Sequence, residues 1–270
     1  MSQSPIAVFD SGVGGLSVLK AIHQQLPAEH VLYFADQAHV PYGPRTMSEV
    51  QQYSESITSH FLSQNAKLIV VACNTASAAA LHHLREKFPA TPFVGMEPAV
   101  KPAAEHTQSG VVGVLATPAT FQGELYASVV ERFASDVEII QDTCSGLVEQ
   151  IEAGNFSGEQ PRAILTKALT PMLKRGIDTV VLGCTHYPFV IPMIEEIVGT
   201  EVQVIDPAPA VARQVGRLLD QEGLANPNTS LGETRYLTSG DLDQYKKILN
   251  TLSFSDQVDE LTWGKELSLD

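Results

Sequence analysis

The feature that most constrains the fold of this chain is an internal repeat. Three short segments recur in the same order at offsets of 106, 111 and 109 residues, namely Val8–Gly12 with Val114–Pro118, Val71–Thr75 with Leu182–His186, and Glu97–Ala99 with Asp206–Ala208. Each match is weak by itself, but the offsets agree. Two similar halves are the economical explanation.

Short β-branched or apolar runs alternate with longer amphipathic segments along both halves. This alternation is typical of an α/β fold with mainly parallel sheets. We expect strands at 6–9, 31–35, 68–72, 111–115, 137–140, 179–183 and 202–205, and helices at 15–26, 47–64, 76–88, 121–133, 161–175 and 208–221. Glu97 and Asp206, each followed by proline, are expected to be helix N-caps.

The repeat predicts two similar α/β domains. Residues 1–97 with 207–270 would form the first domain, and residues 98–206 the second. The chain after 206, with a strand at 234–238 and a helix at 242–252, would return to the first domain. Ligands bind beyond the carboxyl ends of the strands in open α/β sheets. Domains that face each other across a pseudo-twofold axis would therefore hold one active site between them.

Composition excludes several classes of partner. The 17 Lys and Arg against 31 Asp and Glu give a net charge of −14, which disfavours nucleic acid and anionic membranes. No apolar run approaches the roughly 18 residues of a membrane span, and the first residues do not resemble a signal peptide. We therefore expect a cytoplasmic protein with reduced cysteines, because their number, three, is odd. The acidic stretch 255–270 is typical of a solvated tail or edge.

Two of the cysteines, Cys73 and Cys184, occupy matching positions of the repeat. Each is predicted to follow a strand and precede a helix, where backbone N–H groups favour a thiolate. Thiols on opposite sides of one ligand could take a proton from a carbon and return another to the other face, which inverts configuration. A lone cysteine is more often a small buried hydrophobe, and this interpretation holds for Cys144.

Small polar side chains follow the predicted strands in both halves. They could donate hydrogen bonds to an anionic ligand without a cationic cluster, or they could simply cap the following helices. These residues are Ser11, Asn74, Thr75 and Thr185.

Three further residues have more than one interpretation each. Tyr42 lies in a turn-rich loop that could carry its phenol to a site or form a plain turn. His186 could stabilise a thiolate or have a surface or core role. Asp10 could receive an ammonium group, orient a thiol, or be a helix-start carboxylate.

Four motifs spread over about residues 6–210 form a specific combination. They read FDSGVGGL at 9–16, PYG at 41–43, ACNTAS at 72–77 and LGCTHYP at 182–188. Together they resemble the cofactor-independent glutamate racemases of bacterial peptidoglycan synthesis. The resemblance implies two facing α/β domains, glutamate as a small-molecule substrate, and no cofactor. It also implies Cys73 and Cys184 as acid/base residues, with Asp10, Ser11, Tyr42, Gly43, Asn74, Thr75, Thr185 and His186 around the substrate.

One segment departs from the family pattern. Many members have a Pro-containing hydrophobic segment where this chain has Thr143–Leu147, before the helix that carries Glu152. The local backbone there is not set by the resemblance. Supporting roles are expected for Glu152 and for Thr117, which is the repeat counterpart of Ser11.

Other interpretations compete with the racemase. The glycines at 12, 14 and 15, followed by Asp36, imitate a dinucleotide fingerprint, but Ser17 occupies the third glycine position. The cysteine spacing does not fit a structural zinc site. An aspartate or related racemase and a noncatalytic dicarboxylate-binding protein remain alternatives. A homodimer is left open, because no interface pattern stands out.

Overall fold

The structure is a computed structural model that describes residues 2–254 and 257–260. Its chain divides into two units. The first comprises the residues up to Met96 and those from Ala208 onward, and the second is Glu97–Pro207. Each boundary differs by one residue from the position expected from the sequence. The chain thus leaves the first unit once and returns to it.

The elements alternate between strand and helix over most of the chain. In chain order they are β1 (Ile6–Asp10), α1 (Leu16–Gln25), β2 (Val31–Ala35), α2 (Met47–Ser63), β3 (Leu68–Val71), α3 (Asn74–Lys87), β4 (Phe93–Gly95), α4 (Val100–His106), β5 (Val111–Ala116), α5 (Pro118–Gln122), α6 (Glu124–Phe133), β6 (Glu138–Asp142), α7 (Leu147–Glu152), α8 (Glu159–Lys174), β7 (Thr179–Gly183), a 3-10 turn (Tyr187–Val190), α9 (Ile191–Val198), β8 (Gln203–Ile205), α10 (Ala208–Gln221), β9 (Thr234–Thr238), α11 (Leu242–Thr251) and β10 (Gln257–Glu260).

The two sheets repeat one topology. The first sheet has the order β10-β9-β2-β1-β3-β4 and the second has the order β6-β5-β7-β8. Every pairing is parallel. The inner order β2-β1-β3-β4 therefore recurs as β6-β5-β7-β8, and the predicted duplication of an α/β domain is confirmed. Strands β9 and β10 extend the first sheet beyond β2.

Both faces of the first sheet are covered, so its strands are continuous apolar runs. Phe9 and Val71 lie on one face, in a core with Ile57 of α2 and Leu84 of α3. On the other face Tyr33 contacts the ring of Tyr236, and helix α1 packs against α10.

The second sheet is covered in the same way. Val112 and Val114 share a core with Val100 of α4 and Val129 of α6. On the opposite face a Cβ at Gly113 would lie 2.8 Å from Met172 Sδ of α8, so glycine allows this helix to approach closely.

The predicted strands and helices are present, with some differences at their ends. The sequence analysis gives no bounds for the short elements β4, α4, α7 and α9, because three to eight residues carry too little periodicity. The expected cap at Glu97 is wrong, because Ala99 is the N-cap residue of α4. Helix α4 begins at Val100 after an irregular stretch, and α10 begins at Ala208.

The acidic end of the chain contributes an edge strand. Residues 257–260 pair with β9 as β10, and the remainder of the stretch 255–270 lies outside the described residues. Within the two described ranges, none of the helices has both the length and the apolar character needed to cross a membrane.

Asp178 fixes the connection that precedes β5. Its carboxylate accepts hydrogen bonds from Thr107 Oγ1 at 2.7 Å, Gln108 N–H at 2.6 Å and Ser109 N–H at 2.7 Å. Burial acts to raise the pKa of Asp178, but these hydrogen bonds outweigh it and hold the pKa at about 2. The charged carboxylate thus joins the start of β7 to the loop after α4.

Asp178→Asn should lower the free energy of unfolding by about 1–2 kcal/mol at pH 7, because a neutral amide loses charge-assisted hydrogen bonds. The pKa of Asp178 is lower in the folded state, so its contribution is present above the unfolded pKa near 3.9. The contribution disappears as the pH falls from about 4 to about 2. Urea unfolding at several pH values measures the difference, with the exposed Asp136→Asn as control. Equal stability of Asp178→Asn and the parent at pH 7 would contradict this role.

Candidate active site

Chemically active side chains gather at the carboxyl ends of the strands in each unit. The first cluster follows β1, β2 and β3 and contains Cys73. The second follows β5, β6 and β7 and contains Cys184. The first cluster lies in the first unit and the second cluster in the second unit.

Cys73 lies between β3 and α3 and is the N-cap residue of that helix. Its thiol is 5% exposed, accepts the Ala76 N–H at 3.4 Å, and lies 3.9 Å from Ser11 Oγ. The helix start therefore directs an N–H group at the sulfur, as the sequence predicts. An N–H donor at this position favours the thiolate over the neutral thiol.

Asn74 is a buried amide that the protein does not pair. It is 3% exposed, and neither Nδ2 nor Oδ1 has a hydrogen-bond partner among the described residues. A buried polar group left unpaired costs roughly 1–3 kcal/mol. The capping role considered for Asn74 is wrong, because Cys73 supplies the cap of α3. The unpaired amide favours a bound ligand that uses both its donor and its acceptor.

Ser11 and Thr75 are the other small polar residues of this cluster. Both are buried, and Thr75 follows Asn74 in the first turn of α3. Ser11 does not cap α1, which begins five residues later at Leu16 without a side-chain cap. Its hydroxyl instead lies against the Cys73 thiol.

Asp10 organises the glycine-rich loop. Its carboxylate accepts the Gly12 N–H at 3.1 Å, and the Gly12 carbonyl accepts the Tyr33 hydroxyl at 2.9 Å. A Cβ at Gly15 would lie 2.7 Å from Asp10 Cβ and 2.8 Å from the Tyr33 oxygen. The glycine at this position therefore lets the loop pack closely over a buried carboxylate. This packing explains the glycine-rich motif without a bound nucleotide.

Tyr42 is buried in the loop after β2 and donates its phenol proton to Asp36 Oδ2 at 2.6 Å. Burial raises its pKa well above the ordinary value, and the negative charge of Asp36 raises it further, with smaller effects from Cys73 and Asp10. The phenol is thus a neutral group whose proton is directed at Asp36. The dinucleotide interpretation requires Asp36 to bind a ribose hydroxyl, but the Asp36 carboxylate is buried and hydrogen-bonded to Tyr42.

Gly43 follows Tyr42 in the same loop. It is half-buried, and its backbone N–H donates to no atom of residues 2–254 or 257–260. This N–H can therefore donate to a ligand carboxylate.

Cys184 directly follows β7 and is 6% exposed. The helical segment that follows it begins as the 3-10 turn Tyr187–Val190 and continues as α9 from Ile191. The partner of its thiol is a side chain instead, since Cys184 Sγ lies 3.7 Å from His186 Nδ1.

His186 joins Cys184 to Glu152. It is 2% exposed, and its Nε2 lies 2.6 Å from Glu152 Oε1. Burial acts to lower the pKa of His186, but its contacts with Cys184 and Glu152 raise the pKa well above the ordinary value. The raised pKa favours the protonated imidazole, whose two N–H groups can donate to the thiol and to the carboxylate.

The segment that departs from the family pattern still brings Glu152 to His186. The backbone takes left-handed φ angles of 44° at Cys144 and 89° at Gly146, and α7 then ends at Glu152. The Thr143 carbonyl accepts the Tyr187 hydroxyl at 3.0 Å. The turn thus forms without the proline found in many family members.

The remaining cysteine has a different environment. Cys144 is buried, and burial together with the charge of Asp142 raises the pKa of its thiol far above the ordinary value. A thiol with so high a pKa stays protonated and unreactive.

Two threonines complete the second cluster. Thr117 follows β5 as Ser11 follows β1, but it caps α5 by accepting the Thr120 N–H at 3.3 Å. Thr185 is buried between Cys184 and His186. Among the described residues, no three His, Cys, Asp or Glu side chains form a cluster that could hold a metal ion.

Comparison with known proteins identifies the family. The family model described as Asp/Glu/Hydantoin racemase matches residues 6–215. The glutamate racemase of Roseiflexus sp. (strain RS-1) is 47% identical, with 96% of each chain covered. The crystal structure of glutamate racemase isoform RacE1 from Bacillus anthracis has a TM-score of 0.87 at 31% identity, covering 97% of this chain and 99% of that one. The Francisella tularensis enzyme in complex with D-glutamate has a TM-score of 0.82 at 30% identity, covering 100% and 99%. The chain therefore belongs to the Asp/Glu/Hydantoin racemase family.

Proposed function

We propose that this protein is a glutamate racemase that interconverts L- and D-glutamate with two cysteines and no cofactor. The observation that carries the proposal is the placement of Cys73 and Cys184 after equivalent strands, β3 and β7, of two sheets with the same strand order. Each thiol has its own group that favours the thiolate, an N–H donor for Cys73 and His186 for Cys184. Relatives named glutamate racemase support the choice of substrate.

The reaction moves one proton off Cα and another onto its opposite face. In the direction from L to D, the Cys184 thiolate takes the α-proton, so a C–H bond breaks, an S–H bond forms and the electron pair stays on the carbon. The Cys73 thiol then gives its proton to the other face and becomes a thiolate. The reverse direction exchanges the two roles. The assignment of each cysteine to one enantiomer rests on the family resemblance.

Removing an α-proton is difficult at neutral pH because an ordinary thiol, with a pKa near 8.5, is mostly protonated. In the proposal, protonated His186 stabilises the Cys184 thiolate, and Glu152 stabilises the imidazolium. The Ala76 N–H, which donates to the sulfur of Cys73, would stabilise the Cys73 thiolate. We propose that Asp10 orients the thiol on this side or receives the substrate ammonium.

The substrate would be bound mainly by neutral groups. The unpaired Asn74 amide and the Gly43 N–H are suitable donors to carboxylates. Hydroxyls of Ser11, Thr75 and Thr185 are further proposed contacts, and Thr117 is a supporting one. Because the Tyr42 proton points at Asp36, the phenol oxygen would act as an acceptor or as a wall of the site.

The proposed role is the supply of D-glutamate for peptidoglycan synthesis, as the family resemblance implies. We propose a cytoplasmic location, because two thiols that act as acid and base require a reducing compartment. The strongly acidic chain fits a small-molecule enzyme without nucleic-acid or membrane partners. Light scattering after size-exclusion chromatography would distinguish a monomer from a homodimer.

Purified protein should racemise L-glutamate until the optical rotation reaches zero, and it should turn over L-aspartate at least about 100-fold more slowly. In the proposed mechanism the Gly43 loop would hold the far carboxylate, and aspartate, shorter by one methylene, would carry Cα out of place for proton transfer; misplacement by about 1 Å costs on the order of 100-fold. Polarimetry measures both rates. Equal kcat/KM for the two acids would refute the glutamate assignment. If the optical rotation of both L-glutamate and L-aspartate stayed constant, the result would favour a noncatalytic binding protein.

Cys73→Ser and Cys184→Ser should each reduce racemisation at least about 1,000-fold while the protein stays folded, because a serine hydroxyl is a very weak acid and cannot replace a thiolate base. Both directions must lose kcat/KM equally, since enantiomers have an equilibrium constant of one. The matched control is Cys144→Ser, which should keep activity within a few-fold. Near-parental turnover in either of the first two variants excludes the two-thiol mechanism.

His186→Gln should lower kcat/KM by about 10–100-fold, because the variant loses the positive charge that favours the Cys184 thiolate. At pH 7 it should also slow alkylation of Cys184 by iodoacetamide, while Cys73 in the same molecule reacts at the parental rate. Peptide mass spectrometry gives both rates. The matched control is His83→Gln, because His83 also pairs with a carboxylate, that of Glu55, outside the cysteine clusters. Unchanged Cys184 reactivity would show that His186 does not stabilise the thiolate.

A further inference from the structure

Asp36 is the centre of a buried hydrogen-bond network in the first unit. Its side chain is fully buried, and its oxygens accept the Tyr42 hydroxyl at 2.6 Å and the Ser239 hydroxyl at 2.8 Å, with His39 Nδ1 at 3.0 Å. These partners come from two distant parts of the sequence. A buried carboxylate is stable only with several donors, so the network fixes all of its members together.

Ser239 connects this network to the C-terminal part of the chain. It follows β9, and its Oγ accepts the Ala38 N–H at 3.0 Å while donating to Asp36. Its own N–H donates to the Ala35 carbonyl at 3.2 Å. One serine therefore holds both the backbone and the carboxylate at the start of the loop that leads to Tyr42.

The same loop carries the groups proposed to meet the substrate. Tyr42 is held by Asp36, and Gly43 is the next residue. His39 lies between Asp36 and Tyr42 in the sequence, and its ring stacks on the ring of Tyr53 in α2, with the two ring centroids 3.9 Å apart. A displacement of Asp36 would therefore be transmitted to Tyr42 and to the Gly43 N–H.

We propose that Ser239 is a positioning residue for the racemase reaction, acting through Asp36 to hold Tyr42 and the Gly43 N–H where the substrate carboxylate binds. This inference rests on the proposed function. It gives the returning segment from Ala208 a part in the active site, although its strand β9 contributes none of the proposed substrate contacts. Without the Ser239 hydroxyl, Asp36 loses a donor and the Ala38 N–H loses its acceptor, so the loop can shift.

Ser239→Ala should lower kcat/KM at least about tenfold for both enantiomers and raise KM, since the displaced loop binds substrate less well. A merely less stable enzyme would instead lose apparent kcat at unchanged KM. Ser239→Thr keeps the hydroxyl and should restore kcat/KM to within about threefold. The matched control is Thr251→Val. The Thr251 hydroxyl also lies in the returning segment but donates to the Lys247 carbonyl within α11, so this variant should stay within about twofold of the parent.

A double-mutant cycle tests the route through Asp36. If Ser239 acts through Asp36, the double variant of Ser239→Ala and Asp36→Asn should be no more than about twofold worse than Asp36→Asn alone. Multiplication of the two effects would overturn the proposed route. Thermal unfolding of each variant confirms that the assays use folded protein, and Asp36→Asn, with the same expected rise in KM, replaces Ser239→Ala if that variant does not fold.

The outcomes separate this inference from the function on which it rests. Parental kinetics in Ser239→Ala, in a protein whose parent racemises glutamate, would overturn the inference alone. A parent that does not racemise glutamate would overturn the proposed function and the inference with it.

Discussion

Parallel strand pairing is the constraint on which the rest of this structure depends. Because every described strand pairs in parallel, the carboxyl ends of neighbouring strands lie at one edge of each sheet. Asp10 ends β1, Asp36 follows β2 and Cys73 follows β3, although they are widely separated in sequence. Their proximity is a consequence of topology, and it concentrates two carboxylates and a thiol in one buried region.

Duplication of the fold has reproduced the place of the thiol but not its surroundings. Cys73 caps a long helix and receives a backbone N–H, whereas Cys184 precedes a 3-10 turn and contacts a histidine. A backbone N–H is a fixed partial charge, while His186 can gain or lose a full charge. In the proposed mechanism the two halves would therefore favour a thiolate by different physical means at equivalent positions.

Much of this arrangement could be predicted from the sequence because its determinants are local. Apolar runs indicate the strands, and the repeat indicates two units with equivalent cysteines. The Asp36 network could not be predicted, because Ser239 is about 200 residues away and no local pattern couples the two. The sequence does offer His186 as a group that could stabilise a thiolate, and it contacts Cys184. Its pairing with Glu152 could not be predicted, since Glu152 reaches His186 only through left-handed backbone at Cys144 and Gly146.

The unlike thiols have a consequence for a reaction between mirror-image molecules. Enantiomers have equal free energies, so kcat/KM must be the same in both directions however different the two bases are. The difference between an N–H donor and a histidine–carboxylate pair can therefore appear only in the separate values of kcat and KM. If His186 holds Cys184 more strongly as thiolate than Ala76 holds Cys73, the resting enzyme is biased towards the form that accepts a proton from one enantiomer. The opposite enantiomer must then wait for the two thiols to exchange their protonation states, and this asymmetry follows from the chemistry of the two half-sites.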